Sequence, residues 1–350
     1  MSVVERVALA SVPPAVDAVR RRARRRKTIV LSCAVAVAVV LAVLALSLGD
    51  YPLSPAQLWQ TMWGGGSRAE SYVLFQVRMP RLMMALVAGA ALGVAGALLQ
   101  GLLGNPLASP DLLGISGGSG VAAVFALVVI GTTGPLLAVA AFAGGMAVAA
   151  LLLLAGRAQL DAGYRLILAG VGLSFLCIAV IDFLMVRAKI EQTEMALLWL
   201  TGSLSSTPWW QVATVAAVLL LVTPALVASA RWLPLIQLGS PAATGLGVRP
   251  VRVRVLVVLS AVLLTAVTCA FVGPISFIAL CAPAIARPLL GGAAIGLGTS
   301  AVIGASLLAA SDLVAQFAIP GLQLPVGVVT GAVGAVFLLW LLASSKGRHL

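Results

Sequence analysis

The sequence predicts an all-α, polytopic membrane protein with about ten transmembrane helices. Hydrophobic residues make up 61% of the chain and charged residues only 9%, whereas charged residues are about a quarter of an ordinary soluble domain. The mean hydropathy is +1.14. Beyond residue 28, apolar segments follow one another with short loops, and most are about as long as a helix that crosses the hydrocarbon core.

The first half of the chain is predicted to cross the membrane five times. A basic run ends where the first helix begins, Pro80 opens the second, and the two prolines of NPLASPD separate the second from the third. TTGP is a turn before the fourth helix, and the polar loop GRAQLDAGYR precedes the fifth. The predicted ranges are 29–48, 81–103, 113–130, 136–155 and 166–186.

The second half is predicted to add five more helices. Trp209 and Trp210 mark an interfacial turn before the sixth helix, as Trp59 and Trp63 do before the second, because tryptophan favours the headgroup region. A polar interruption at 231–254 separates the sixth helix from the seventh. The predicted ranges are 212–228, 255–271, 275–290, 294–310 and 326–343.

Positive charge predicts the orientation. The net charge is +12, and its largest cluster is RRRARRRK at 20–27. Such runs stay cytoplasmic and attract anionic lipid, which is a better explanation here than binding to nucleic acid. Residues 1–28 are therefore predicted to form a mobile cytoplasmic tail, residues 29–345 one transmembrane domain, and residues 346–350 a cytoplasmic end.

Several kinds of catalytic chemistry have no motif in this chain. There is no GxxxxGK[ST] loop for phosphates and no HExxH motif. The one histidine is His349, and the four cysteines lack the spacing of metal ligands. The sequence therefore predicts neither a metal site nor a catalytic site. A membrane-embedded enzyme is the disfavoured alternative.

Separated motifs carry a resemblance to a known family. They are RMPR, GALLQGLLGNPLASPDLLGIS, GPISFIALCAPAIARPLLG and QLPVGVVTGAVGAVFLLWLL. In this order they resemble the FecCD-type permease subunit of iron-chelate and cobalamin ABC importers, over nearly the whole chain beyond residue 28. The resemblance implies the type II importer permease architecture and a place in the bacterial cytoplasmic membrane.

The same resemblance implies partners and a cargo. It implies a second permease chain, identical or paralogous, two ABC ATPase subunits that bind ATP and Mg²⁺, and an extracytoplasmic binding protein. This chain itself would bind no cofactor. The residues around GPISFIAL and QLPVGVV are most similar to those of ferric siderophore permeases, so a ferric siderophore is the implied cargo. Cobalamin or haem is the alternative cargo. An ion-coupled secondary carrier is an alternative of another class, disfavoured because few ionisable residues lie within the apolar segments.

At the outer mouth, Arg78 and Arg81 flank Pro80. Their spacing of three lets both side chains project toward water, although snorkelling to lipid phosphate is an equal alternative. The resemblance implies that both arginines pair with glutamates of the binding protein. A third family arginine is replaced by Gln316, so that contact is open.

On the cytoplasmic side, the loop 231–254 resembles the ATPase-coupling element of the family. A short helix broken by Gly239 and Pro241 would present apolar side chains to a groove of the ATPase; an amphipathic connector on lipid is the alternative. The family's acidic pair is replaced by Ser240 and Pro241. The residues assigned to coupling are Leu235, Ile236, Leu238, Gly239, Leu246 and Gly247.

Three further residues are candidates for the gate or pathway. The segment GYRLILAGVGLS, which begins with Gly163 and Tyr164, resembles the cytoplasmic gate region of the family; an interfacial aromatic is the other interpretation of Tyr164. Asp182 is an acidic residue within an apolar helix, hence a functional candidate, unless it pairs with Arg187 or faces the outer vestibule.

Residues assigned to the structural motifs are Asn105, Pro106, Pro110, Pro283, Arg287 and Pro325.

Overall fold

A computed structural model describes residues 14–156, 163–291 and 295–345. Across these ranges the only β-structure is an isolated bridge between Ile319 and Leu322. Seven of the described helices are long and apolar enough to cross a membrane, and three shorter apolar helices accompany them. The predicted all-α fold with about ten crossing helices is therefore confirmed.

The α-helices are numbered here in chain order. They are α1 Pro14–Ser47, α2 Pro55–Met62, α3 Arg68–Tyr72, α4 Met79–Leu103, α5 Ile115–Phe125, α6 Pro135–Gly156, α7 Gly163–Val186, α8 Ile190–Leu200, α9 Trp209–Ile236, α10 Ser240–Gly245, α11 Pro250–Val272, α12 Ile278–Leu290, α13 Leu297–Phe317 and α14 Val326–Ser345. A π-helical turn, Val73–Arg78, leads into α4, and another, Ala126–Ile130, continues α5.

The helices run between two ends of a bundle. At one end the Trp209 indole N–H donates to the Phe75 carbonyl (2.8 Å), which joins the start of α9 to the π-helical turn that leads into α4. At the opposite end the Gln237 amide donates to the Gly101 carbonyl (2.8 Å). We call the end with Trp209 the outer end and the end with Gln237 the inner end, after the orientation that the positive charges predict.

Helix α4 is the most enclosed part of the bundle, because glycines let two neighbouring helices touch its backbone. A Cβ on Gly89 would overlap the Gly304 carbonyl of α13, and one on Gly96 would overlap the Ala279 carbonyl of α12. Gly93 lies between them and faces the Ser300 carbonyl in the same way. In lipid, the hydrophobic effect does not drive helices together, so they associate by close van der Waals packing. Small residues at the contact make that packing possible.

Residues 14–28 of the predicted mobile, basic tail are helical and form the first part of α1. Arginine is a good helix former, and extending an existing helix requires no new nucleation. The Arg26 guanidinium also donates to the Leu289 carbonyl (2.7 Å) and the Pro288 carbonyl (3.0 Å). These carbonyls close the C-terminal turn of α12, where a cation is favoured by the helix dipole.

Other helix ends differ from the predicted ranges because helices continue beyond the apolar core. Helix α9 extends to Ile236, past the predicted end at 228, and α13 extends to Phe317, past 310. The opposite shift occurs at α12, which begins at Ile278 rather than 275. Phe277 has a φ of 68°, in the left-handed region, and such a residue cannot belong to a right-handed helix.

Candidate functional site

The outer end holds an ion pair between the first turn of α4 and the last turns of α13. Arg81 Nε lies 3.1 and 3.0 Å from the two carboxylate oxygens of Asp312, and Arg81 Nη2 lies 2.9 Å from Oδ1. The side chains are 14% and 5% exposed. Gln316, one turn after Asp312, donates to its Oδ2 (2.8 Å). The expectation that Arg81 projects into water is therefore wrong.

Arg78 is also engaged within the chain. Its guanidinium donates to the Leu46 carbonyl (2.6 Å), the Ser47 carbonyl (3.4 Å) and the Tyr51 carbonyl (2.7 Å). The first two are terminal carbonyls of α1, which lack partners in their own helix. Gly49 stands against the guanidinium, and a Cβ there would overlap it. Arg78 thus caps α1 and fixes the turn after it.

The three predicted docking residues nevertheless line one pocket. Its volume is about 690 Å³, and it lies between the end of α1, the start of α4 and the end of α13. Arg78, Arg81 and Gln316 all border it, together with Asp312. Asp312 was missed by the sequence reasoning, although it lies four residues before Gln316 in SDLVAQ. Docking by this pocket stays a prediction.

At the inner end the predicted coupling loop contains the short helix α10. Gly239, with a φ of 97°, precedes it, and Gly247, with a φ of 81°, follows it. Both need the left-handed side of the backbone map, which favours glycine. Pro241 does not break the helix, contrary to the prediction. It occupies the first turn, where proline's missing N–H has no partner to lose.

The apolar residues of this segment divide into two groups. Leu238 and Leu246 are exposed, at 65% and 61%. Ile236 is only 6% exposed and Leu235 is half-buried, because both belong to the last turn of α9, which packs into the core. The prediction that Ile236 faces a partner is wrong, whereas Leu238 and Leu246 are free to make such a contact.

A groove of about 390 Å³ lies beside α10. Leu235 and Leu246 border it, so it joins the two predicted groups of residues. Trp232 adds an aromatic wall, and Arg249 and Arg252 add positive charge. Trp232 was not singled out from the sequence. The arrangement can hold an apolar side chain that carries or neighbours a carboxylate.

The gate candidates lie on α7. The helix begins at Gly163, and the Tyr164 side chain lies outside what the structure describes, so both assignments stay predictions. Asp182 is exposed near the outer end of α7. It makes no ion pair with Arg187, whose guanidinium instead lies over the Phe183 ring at 4.5 Å. Of the two structural interpretations of Asp182, the pairing is therefore wrong and the exposure is observed.

The NPLASPD motif forms the inner turn between α4 and α5. The Asn105 side-chain oxygen accepts from the Leu107 N–H (2.9 Å), and Pro106 continues the turn. Pro110 precedes a 3₁₀ turn. The Asp111 carboxylate accepts from the Ser116 hydroxyl (2.5 Å). Burial raises the pKa of Asp111 despite this hydrogen bond.

The second proline motif lies on α12. Pro283 is inside the helix and Arg287 is in its last turn. Among the described residues, no acceptor bonds to the buried Nε and Nη2 of Arg287. A Cβ on Gly101 would lie 3.3 Å from that Nη2, so glycine makes room for the guanidinium. Pro325 directly precedes α14.

Comparison with known proteins gives consistent results. Residues 37–344 match the FecCD transport family. The ferric enterobactin transport system permease protein FepG of Escherichia coli (strain K12) is 39% identical over 325 residues, which cover 93% of this chain and 98% of that protein. The Fe(3+) dicitrate transport system permease protein FecD of the same organism is 41% identical over 307 residues, covering 87% and 95%.

A solved structure extends the likeness to three dimensions. It is described as an inward-facing conformation of a metal-chelate type ABC transporter. The TM-score is 0.81 at 28% sequence identity, covering 91% of this chain and 99% of that one.

Proposed function

The chain belongs to the FecCD transport family and is a membrane permease of the ABC importer type, and from this premise we propose that it carries ferric chelates of the siderophore class. The observation that carries the cargo proposal is the identity of 39 and 41%, over almost the full length, to two permeases named for ferric enterobactin and ferric dicitrate. Separate ATPase subunits supply the energy, and the chain has no nucleotide-binding motif of its own.

The outer pocket is the proposed contact for an extracytoplasmic binding protein. Arg78, Arg81 and Gln316 border it, and Asp312 already neutralises Arg81. A docking carboxylate would therefore approach a guanidinium that is paired. Arg78 donates its hydrogen bonds to main-chain carbonyls, and Asp50 acts on it electrostatically without forming an ion pair like that of Arg81, so its charge is the more available of the two. We expect Arg78 to dominate the attraction and Arg81 to shape the pocket.

The inner end is the proposed contact for the ATPase subunits. Leu238 and Leu246 project from it on either side of α10, next to the groove with Trp232 and Arg249. An exposed apolar pair beside a groove is what a soluble partner can bind. ATP-driven closure of the ATPases would push on α10 and change which end of the pathway is open.

Pulldown with the ATPase subunits tests this contact. Leu238→Asp with Leu246→Asp should abolish co-purification, because two charges would have to be desolvated in the interface. Val251→Asp is the matched control, since Val251 is 58% exposed at the same end and does not border the groove. Full retention of the ATPase by the double variant would contradict the coupling role.

The second permease chain is proposed to pack on the lipid-facing sides of α7 and α14. Phe175 on α7 and Val336 on α14 are 68% and 69% exposed in the single chain. Gly172 and Gly331 leave open space beside the same helices. The proposed place is the bacterial cytoplasmic membrane, with both termini on the cytoplasmic side, because the number of crossings is even and the basic run at 20–27 favours that side.

Uptake by the assembled complex in vesicles tests the cargo. Radioactive ferric citrate, a ferric catecholate, cobalamin and hemin are offered in turn, with and without ATP. We expect ATP-dependent uptake of a ferric chelate. Uptake of cobalamin or hemin alone would overturn the cargo assignment but leave the family intact. Uptake by the permease without any ATPase would instead indicate an ion-coupled carrier.

A further inference from the structure

An apolar groove of about 560 Å³ runs along the outside of the bundle, between α1 on one side and α12 and α13 on the other. Its floor is the contact of Ala34 with Ala282, Ala286 and Ile303. The Ser306 hydroxyl donates to the Val302 carbonyl of its own helix (2.9 Å), so its proton is already hydrogen-bonded and the groove remains apolar. The lining residues are Ile29, Val30, Cys33, Ala34, Val37, Leu41, Ile285, Leu289, Ile303, Ser306, Leu307 and Ala310.

The length of the groove matches one leaflet of a bilayer. Along α1 it runs from Ile29 to Leu41, which is roughly 18 Å at the rise of an α-helix. Half of the hydrocarbon core is about 15 Å. Ile29 and Leu289 are at the inner end, where α1 leaves the apolar region. The groove therefore begins at the inner interface and ends near the middle of the bilayer.

The inner mouth of the groove is positively charged. Arg22 lies seven residues before Ile29 and Lys27 three before Val30, so both are on the groove side of α1. Arg26 is between them, and its bonds to the Leu289 and Pro288 carbonyls hold this face of α1 against the end of α12. The face of α1 that carries Arg22 and Lys27 is thus held next to the mouth of the groove.

We propose that this groove binds one anionic phospholipid, with an acyl chain between α1 and α12–α13 and the phosphate over Arg22 and Lys27. The apolar lining suits an acyl chain, and the two cations suit the negatively charged phosphate of the headgroup. A phospholipid supplies both parts at the depth where the groove has them. The role goes beyond general attraction of the basic run to the membrane surface, because it fixes the lipid to one side of α1.

Native mass spectrometry of the full-length chain tests the proposal. The purified protein in detergent is titrated with dioleoyl phosphatidylglycerol or with dioleoyl phosphatidylcholine. We expect one phosphatidylglycerol to be retained at detergent concentrations that remove phosphatidylcholine. Arg22→Gln with Lys27→Gln should weaken that binding at least tenfold, since each cation near a lipid surface is worth about a factor of five.

Matched controls separate a site from diffuse attraction. Arg21→Gln with Arg24→Gln removes the same charge from the far side of α1, and should leave binding unchanged. Ala34→Trp fills the groove and should expel the lipid, whereas Ala36→Trp on the outward side should not. The headgroup variants change only exposed side chains, so they remain informative if Ala34→Trp does not fold.

Three results would overturn the proposal. Equal binding of the two lipids would mean that the cations play no part. Equal loss in both arginine-containing double variants would mean that the attraction has no fixed site. A change from dimer to monomer in Ala34→Trp, with no change in lipid, would mean that a second protein chain covers the groove.

Discussion

Asp312→Leu should destabilise the folded chain, because it leaves the Arg81 guanidinium without its carboxylate. Three N–O distances of 2.9 to 3.1 Å join the pair, and the side chains are 14% and 5% exposed. Removing one member of a buried ion pair costs about 3–5 kcal/mol. The partial exposure of Arg81 and the nearby amide of Gln316 favour the lower end, about 3 kcal/mol.

The double variant Arg81→Met with Asp312→Leu distinguishes a buried pair from simple packing. Replacing both charges by apolar groups of similar size is often neutral or stabilising, so the double variant should be within about 1 kcal/mol of the wild type. The two single changes should therefore be strongly non-additive, as expected for residues in contact. Arg68→Gln, an exposed charge at the same end, should change stability by less than about 0.5 kcal/mol.

Unfolding of the purified chain in mixed micelles by sodium dodecyl sulfate, followed by loss of helical circular dichroism, gives these free energies. Binding-protein affinity is measured on the same variants. If Asp312→Leu is no less stable than Arg68→Gln, the ion pair does not hold α4 to α13. If the double variant is as unstable as the single one, packing rather than charge accounts for the loss.

Three other predictions concern single residues. Gly96→Val should prevent stable folding because a side chain there meets the Ala279 carbonyl, whereas Gly298→Ala, with open space beside it, should be neutral or stabilising by up to about 1 kcal/mol in the same assay. Burial raises the pKa of Asp111 above its ordinary 3.8, so the folded state binds the proton more tightly than the unfolded state. The contribution of Asp111 to stability should therefore be greatest below pH 3.8 and fall as the pH rises toward the raised pKa; Asp111→Asn should remove this part of the pH dependence. Asp182→Asn should reduce ATP-driven uptake in vesicles if the exposed carboxylate lines the pathway, and unchanged uptake would contradict that role.

Apolar length predicted the number of helices well, but it did not predict their ends. A helix continues into the interface while its side chains reach water or neighbouring carbonyls, and hydropathy does not register such contacts. Arg26 shows this, because its partners on α12 lie more than 260 residues away. Phe277 shows the opposite error. Its apolar side chain suits a helix, but its left-handed backbone delays the start of α12.

The candidate sites were predictable in part for a similar reason. The resemblance placed Arg78, Arg81 and Gln316 together, and the structure puts all three on one pocket. It could not give Asp312 as the partner of Arg81, since 231 residues separate them. At the inner end, Ile236 was assigned to a partner contact because apolar residues in a polar loop favour one. In the structure α9 extends through Ile236, so that side chain is buried in the core.

Helix α4 connects the two ends of the molecule in a way that limits which parts can move. Arg81 ties its outer end to α13, and the Gly101 carbonyl ties its inner end to Gln237, close to α10, which we propose as the ATPase contact. Between these points, Gly89 and Gly96 bring its backbone against the backbones of α13 and α12. Helices in backbone contact cannot slide past each other without a clash, because no flexible side chain lies between them. We therefore expect helices α4, α12 and α13 to move as one unit under the proposed push on α10. The pathway must then open where contacts are made by side chains or by lipid, as on α7, most of whose apolar stretch is exposed.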